Sequence, residues 1–190
     1  MRRTPKKHGT EQALYAAALR ALTRRAYSVH EMRKWLAQRA DEKALAEIVL
    51  ARLKDRAYLD DLRYARQYAR NRAELRRQGR FRIARDLRAR GVPDRLIEAA
   101  LDEVFAESDE GAMLRKRIAR KLRSLRGRRG TPEAGASPAQ LDQRQFASLY
   151  TSLLRAGFPS DMIRRELRAV TRLAASLSDE EPLEATDEHR

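Results

Sequence analysis

Apolar residues recur at helical spacing along almost the whole chain between Thr10 and Leu177, and no stretch alternates apolar and polar positions with β-branched residues as strands do. The pattern predicts an all-α fold. In a first segment Leu14, Ala18, Ala21 and Leu22 fall on one helix face. Ser28 stands as an N-cap ahead of a second stripe, Met32, Trp35 and Leu36. Asp41 stands likewise ahead of a third, Leu45, Ile48, Val49 and Leu53. A second segment repeats the plan. Asp60 and Asp61 precede Tyr64, Ala65, Tyr68, Ala69 and Leu75, and Gly79 breaks that helix. Ile83, Ala84 and Leu87 follow, ending at Gly91, and Pro93 opens a two-ridge stripe of Leu96, Ile97, Ala100, Leu101, Val104 and Phe105. A third segment starts near Asp109 and carries Leu114, Ile118, Leu122 and Leu125. The glycine-, proline- and serine-rich stretch "RGRRGTPEAGASPAQ", 126–140, then interrupts it as a flexible insertion. Helix resumes with Phe146, Leu149, Tyr150 and Leu153, stops at Gly157, and ends with Met162, Ile163, Leu167, Val170 and Leu173.

An internal repeat supports this division. "GVPDRLIEAAL" (Gly91 to Leu101) aligns without gaps on "GFPSDMIRREL" (Gly157 to Leu167). The glycine suits a helix C-cap and the proline the first turn of the next helix. Residues 10–57, 58–107 and 108–177 thus form three three-helix units, each too small to bury its apolar face alone. They are expected to pack as an elongated, curved array of three tandem three-helix repeats. The basic residues 1–9 and the acidic residues 178–190 are expected to be disordered, the latter holding six acids and one arginine.

Charge adds a partner class to this scaffold. The 190 residues include 42 basic and 27 acidic side chains, a formal net charge of +15, and 35 of the basic residues are arginine. Such an excess favours a polyanion: nucleic acid, an acidic protein surface or anionic lipid. Arginine abundance alone does not separate a coding bias from recognition of phosphate by planar guanidiniums. The distribution says more. Between Arg63 and Arg95 twelve arginines face three acids, and between Arg115 and Arg129 nine basic residues face none, whereas an inert surface mixes both signs. Arg63, Arg66, Arg70 and Arg77 share roughly one side of their helix, and Arg85 and Arg88 flank Ile83 and Leu87. With Arg80, Arg82, Arg115, Lys116 and Arg120 they are the candidate contacts to a polyanion. Tyr64 and Tyr68 at helical spacing, and Trp35 beside Leu36, read as core before they read as stacking platforms.

Catalysis finds little inventory. Cysteine is absent, which excludes disulfides, thiolate metal sites and a cysteine nucleophile. There is no GxxxxGK[ST] or GxGxxG loop, and of the three histidines His8 and His189 lie in the tails and His30 at a helix start. Asp60 and Asp61 have no second acidic motif to share a metal with. An aspartate ahead of an apolar-periodic run is the expected N-cap, so both are read as structural. No cofactor and no metal are expected. No apolar run reaches the roughly 20 residues of a membrane span, and no signal peptide is evident, so the expected location is the cytoplasm.

The run "AYLDDLRYARQYARNR", followed by "GRFRIARDLRARGVP" and "IEAAL", closely resembles the RecX family of bacterial regulatory proteins. That family shows a "YLDD…FA" helix, a glycine, "RI…L…KG" and a final amphipathic helix. The matching positions are Tyr58, Leu59, Asp60, Asp61, Tyr64, Ala65, Gly79, Arg82, Ile83, Leu87, Gly91 and Ile97. Arg90 stands where the family often has lysine, and Tyr64 where it often has phenylalanine. The flanking segments match by pattern more than by identity. The resemblance implies a non-enzymatic regulator built of tandem three-helix repeats, and a monomer is expected. It implies binding to the RecA recombinase in the groove of its nucleoprotein filament, and restraint of ATPase and strand exchange in DNA repair, recombination and the SOS response. It also implies contact with the phosphates of single- or double-stranded DNA. The alternative is a stand-alone DNA-binding protein acting through phosphates.

Overall fold

The computed structural model describes residues 7–106, 109–127 and 143–176. Among them are nine helices and no strand, with one isolated backbone bridge between His8 and Ala40. The helices are α1 (Glu11–Leu22), α2 (Val29–Ala37), α3 (Lys43–Asp55), α4 (Asp61–Arg76), α5 (Arg80–Arg88), α6 (Asp94–Ala106), α7 (Glu110–Gly127), α8 (Gln143–Arg155) and α9 (Ser160–Ser176). The more extensive helix–helix packing lies within the triples α1–α3, α4–α6 and α7–α9, so the fold is one of all-α, three-helix repeats. The first two triples form one compact unit and the third forms another.

Each triple closes on the apolar stripe that its sequence carries. In the first, Leu14, Ala18, Met32, Leu36, Val49, Leu50 and Leu53 make a shared core, and Leu59, from the segment that leads into α4, is buried with them. In the second, Tyr64, Ala65 and Ala69 of α4 are buried, as are Ile83 and Leu87 of α5 and Ile97, Leu101 and Val104 of α6. In the third, Leu114, Ile118, Leu149, Leu153, Phe158, Ile163 and Leu167 form the core.

The internal repeat has a physical basis. Gly91 and Gly157 both take the left-handed conformation, φ 71° and 91°. In both places the next N–H reaches back to the last turn in the C-cap pattern, Val92 to the Leu87 carbonyl at 3.2 Å and Phe158 to the Leu153 carbonyl at 3.4 Å. The prolines that follow sit one residue before α6 and α9 rather than inside them. Their carbonyls accept the first helical bonds, from Ile97 at 3.1 Å and from Ile163 at 3.0 Å.

Several expectations need correction. Asp41 does not cap α3: its backbone N–H is tied to the His8 carbonyl at 3.2 Å, and the helix starts two residues later behind Glu42 with no side-chain cap. His8, assigned from sequence to the N-terminal tail, is thereby held against the α2–α3 turn. Ile48 is 53 % exposed and Leu75 77 % exposed, since each falls off the edge of a stripe already filled by smaller or better-placed neighbours. The break after α4 is made by Arg77 in the left-handed conformation, φ 47°, not by Gly79, which has ordinary extended backbone as the residue before α5. Helix α7 runs through Arg126 and Gly127, the first residues of the expected insertion; the rest of that insertion and the acidic tail lie outside the described residues.

Candidate interaction surface

The aspartate pair divides its labour. Asp60 is the N-cap of α4, its carboxylate accepting from the backbone N–H groups of Leu62 at 2.9 Å and Arg63 at 3.0 Å. Asp61 turns to the preceding repeat and accepts from the N–H of Val29, the first residue of α2, at 2.9 Å. Two further contacts complete this joint. The Ser28 hydroxyl, which caps α2 by accepting from Glu31 N–H, donates to the Arg90 carbonyl at 2.6 Å. Gly91 packs so closely on His30 that a Cβ there would lie 2.4 Å from the imidazole. Glu31 closes a capping box with Ser28 and accepts from the Tyr64 hydroxyl at 3.4 Å. Asp61, Tyr64 and Gly91 thus sit at the seam between the first two repeats. Sequence reasoning missed His30, Glu31 and Arg90 in this role. Glu31 alone had a signal, since serine followed three residues later by glutamate is the capping-box pattern.

Burial raises the carboxyl pKa of Asp61 above its ordinary value, with the nearby Asp60 charge adding to it and the Val29 N–H opposing. A raised folded-state pKa means that the folded protein holds this proton more tightly. The stabilisation from protonation is present below the unfolded-state value and is lost as pH rises through the folded-state value. Asp61→Asn keeps an acceptor for Val29 and removes the desolvated charge, so it should leave neutral-pH stability intact and erase this component of the pH dependence. Asp61→Ala should lose about 0.5–2 kcal/mol, as other lost caps do. Urea midpoints measured across the acid range separate the two variants.

The basic candidates are at the surface but are less uncompensated than their local sequence suggests. Acids from α6 fold back onto them: Arg66 pairs with Glu103 and Arg80 with Asp102, each at 2.7 Å. Arg82 pairs with Asp86 at 3.2 Å, and Arg88 with Asp94 at 2.6 Å. Arg115 bridges Asp109 at 3.2 Å and Glu166 at 3.1 Å. Arg63 donates to the Ala57 carbonyl at 2.6 Å. Arg70 and Arg77 also have partners. Arg85, Lys116 and Arg120 are exposed and form no ion pair with a described residue. Pairs exposed on both sides, such as Arg66–Glu103, Arg80–Asp102 and Arg88–Asp94, contribute little to stability, so these guanidiniums can exchange a carboxylate for a phosphate at small cost, whereas Glu166 is buried and ties Arg115 in place. Tyr68 is half-buried, its ring stacked on Tyr64 with 6.2 Å between centroids. The guanidiniums of Arg72 at 4.9 Å and Arg90 at 4.7 Å lie over it, so Tyr68 is occupied by its own chain. Trp35 is likewise covered by Arg39, at 4.1 Å. No cluster of metal-ligating side chains exists among the described residues, and no described helix is long and apolar enough to cross a membrane.

A family model described as the second three-helix domain of RecX matches residues 60–101, the span that runs from the Asp60 cap to Leu101 in the α6 stripe. The Regulatory protein RecX of Trichlorobacter lovleyi is 35 % identical over 154 residues, covering 80 % of this chain and 91 % of the relative. The chain belongs to the RecX family. Its RecX relatives include that of Halorhodospira halophila, 35 % identical over 153 residues with 80 % of this chain and 85 % of the relative covered. That of Thermus thermophilus is 41 % identical over 124 residues, 63 % and 84 % covered. The fold agrees with the crystal structure of RecX from Lactobacillus salivarius, with a TM-score of 0.68 at 18 % identity over 84 % of this chain and 96 % of the other. Relatives are thus named as regulatory proteins, and of the motif residues Asp61, Tyr64 and Gly91 lie at the inter-repeat seam, Ala65, Ile83, Leu87 and Ile97 in the second repeat's core and Leu59 in the first repeat's core.

Proposed function

We propose that this protein is a non-enzymatic regulator that binds the RecA recombinase and its nucleoprotein filament, restrains ATPase and strand exchange, and so acts in DNA repair and recombination. The observation that carries the reading is family membership extending over four-fifths of the chain, with 91 % of a regulatory relative aligned. The surface is compatible with it. Arg66, Arg80 and Arg88 are held on helices by exchangeable surface bridges, and Lys116 and Arg120 of α7 are exposed. Such side chains can meet carboxylates of a protein partner and phosphates of a strand alike.

The test uses residues without a described ion pair. Arg85→Glu, Lys116→Glu and Arg120→Glu combined should weaken inhibition of recombinase ATPase on single-stranded DNA, while far-UV circular dichroism stays helical because arginine, lysine and glutamate have similar helix propensity. Removing one phosphate interaction should also flatten the salt dependence of binding by about 0.7 on a log–log plot for a single strand. A folded triple variant that inhibits at wild-type concentrations removes these three side chains from the mechanism. Inhibition only at concentrations that saturate bare DNA would favour a stand-alone DNA-binding protein.

A further inference from the structure

Tyr58 departs from the other motif residues. Leu59, Tyr64, Ile83 and Leu87 are buried, and Asp60 and Asp61 direct their carboxylates to helix N-termini. Tyr58 is 49 % exposed and its hydroxyl has no hydrogen bond with a described residue. Its ring stands at a cleft of about 690 Å³ enclosed by the end of α1, the α1–α2 loop and the start of α4. Leu19 and Leu22 give the cleft an apolar wall, and Arg24, Arg25 and Arg63 line it. The single carboxylate among the lining residues, Asp60, is engaged in capping α4. Arg25 is fixed in place, stacked 3.6 Å above the Tyr27 ring and bridged to Glu31 at 3.2 Å. Arg63 is anchored through the Ala57 carbonyl, and Arg24 is exposed with no described ion pair.

An exposed aromatic ring, an apolar wall and several guanidiniums in one open cleft are the components of a site for unpaired nucleotides. The π-face of a base stacks on tyrosine whatever its sequence, and guanidiniums track the flanking phosphates. We propose that the cleft between the first two repeats binds single-stranded nucleic acid, seating one unstacked base against Tyr58 with adjacent phosphates on Arg24 and Arg63. A peptide could place an apolar side chain on the same wall but would have to match its carboxylates to these arginines, whereas a strand presents a phosphate at every residue. The site goes beyond phosphate contact by the arginine-rich helices, because it makes affinity depend on the bases themselves.

The test is direct binding of the full chain to fluorescent oligothymidine, with an abasic strand of equal length as comparison and no recombinase present. Its outcome is therefore separate from that of the regulatory reading. Tyr58→Ala should weaken oligothymidine binding about tenfold, the loss of one stacked base, and leave abasic binding and the salt slope unchanged. Tyr58→Phe should retain wild-type affinity. Arg24→Glu with Arg63→Glu should weaken both strands and flatten the salt dependence. Because the Tyr58 ring is exposed, Tyr58→Ala should keep the wild-type melting curve. Equal affinity of wild type for abasic and thymidine strands would overturn the proposal, as would unchanged oligothymidine binding by folded Tyr58→Ala. So would tighter capture in the cleft of a glutamate–tyrosine copolymer than of oligothymidine, which would assign the site to an acidic peptide.

Discussion

Replacing Gly91 by alanine should cost at least about 2 kcal/mol, because two penalties fall on one methyl group. The first is conformational: at φ 71° a side chain meets the following carbonyl, at roughly 1–2 kcal/mol for a left-handed residue. The second is steric. A Cβ would lie 2.4 Å, 2.5 Å and 2.6 Å from the Cγ, Cβ and Cδ2 atoms of His30. These atoms belong to the root of a side chain on the first turn of α2, so relief requires the seam to open and not merely a rotamer to change. Opening it would also loosen the Ser28 bond to Arg90 and the Asp61 bond to Val29. Thermal unfolding followed by circular dichroism measures the loss. In the Gly91→Ala background, His30→Gly should recover the steric part and leave the conformational part, so the double variant should be more stable than the two single changes predict when added. A near-native melting temperature for Gly91→Ala alone would show that the two repeats are not joined there.

The other large effect lies in the second repeat's core. Leu101→Ala should destabilise by about 2–5 kcal/mol, the range for truncating a buried leucine where the surroundings collapse incompletely. Leu101 is almost fully buried on α6, the helix against which α4 packs most extensively. Leu75→Ala is the matched control. Its side chain stands in solvent, so its removal should change stability by no more than about 0.5 kcal/mol. Equal midpoints in urea for the two variants would mean that α6 does not carry the core.

The periodicity that predicts Leu101 as core also explains how far the chain is legible from sequence. Helix identity and the three-helix plan follow from local information: a stripe of apolar residues with period 3.6, a cap such as Ser28 or Asp60, and glycines that turn left-handed at Gly91 and Gly157. Stripe edges are harder. Leu75 and Ile48 have the right chemistry and the wrong angular position once alanines have let the helices approach closely. Pairings between distant residues leave no local trace at all. Asp61 looks like a second cap for its own helix, yet its partner Val29 lies 32 residues earlier. The candidate surface suffers the same blindness. Counting charges along α4 and α5 finds the arginines, but Asp102 and Glu103 reach them only after α6 has folded back. Arg24 and Arg25 escaped notice because they sit in a loop outside the dense basic runs and join Tyr58 only in three dimensions.

The seam bears on what the smallest autonomous piece of this protein is. Asp61 is covalently part of the second repeat, but the backbone donor that it satisfies belongs to the first. The Ser28 hydroxyl and the Arg90 carbonyl make the reverse exchange. A fragment ending before α4 would contain every apolar residue of the first core, Leu59 included, and would still leave the start of α2 without the acceptor that its partly buried N–H had been bonded to. Excision therefore removes more than neighbouring bulk: it breaks the hydrogen-bond closure of the part that is kept. The indivisible element of this part of the chain is the pair of repeats that these bonds join.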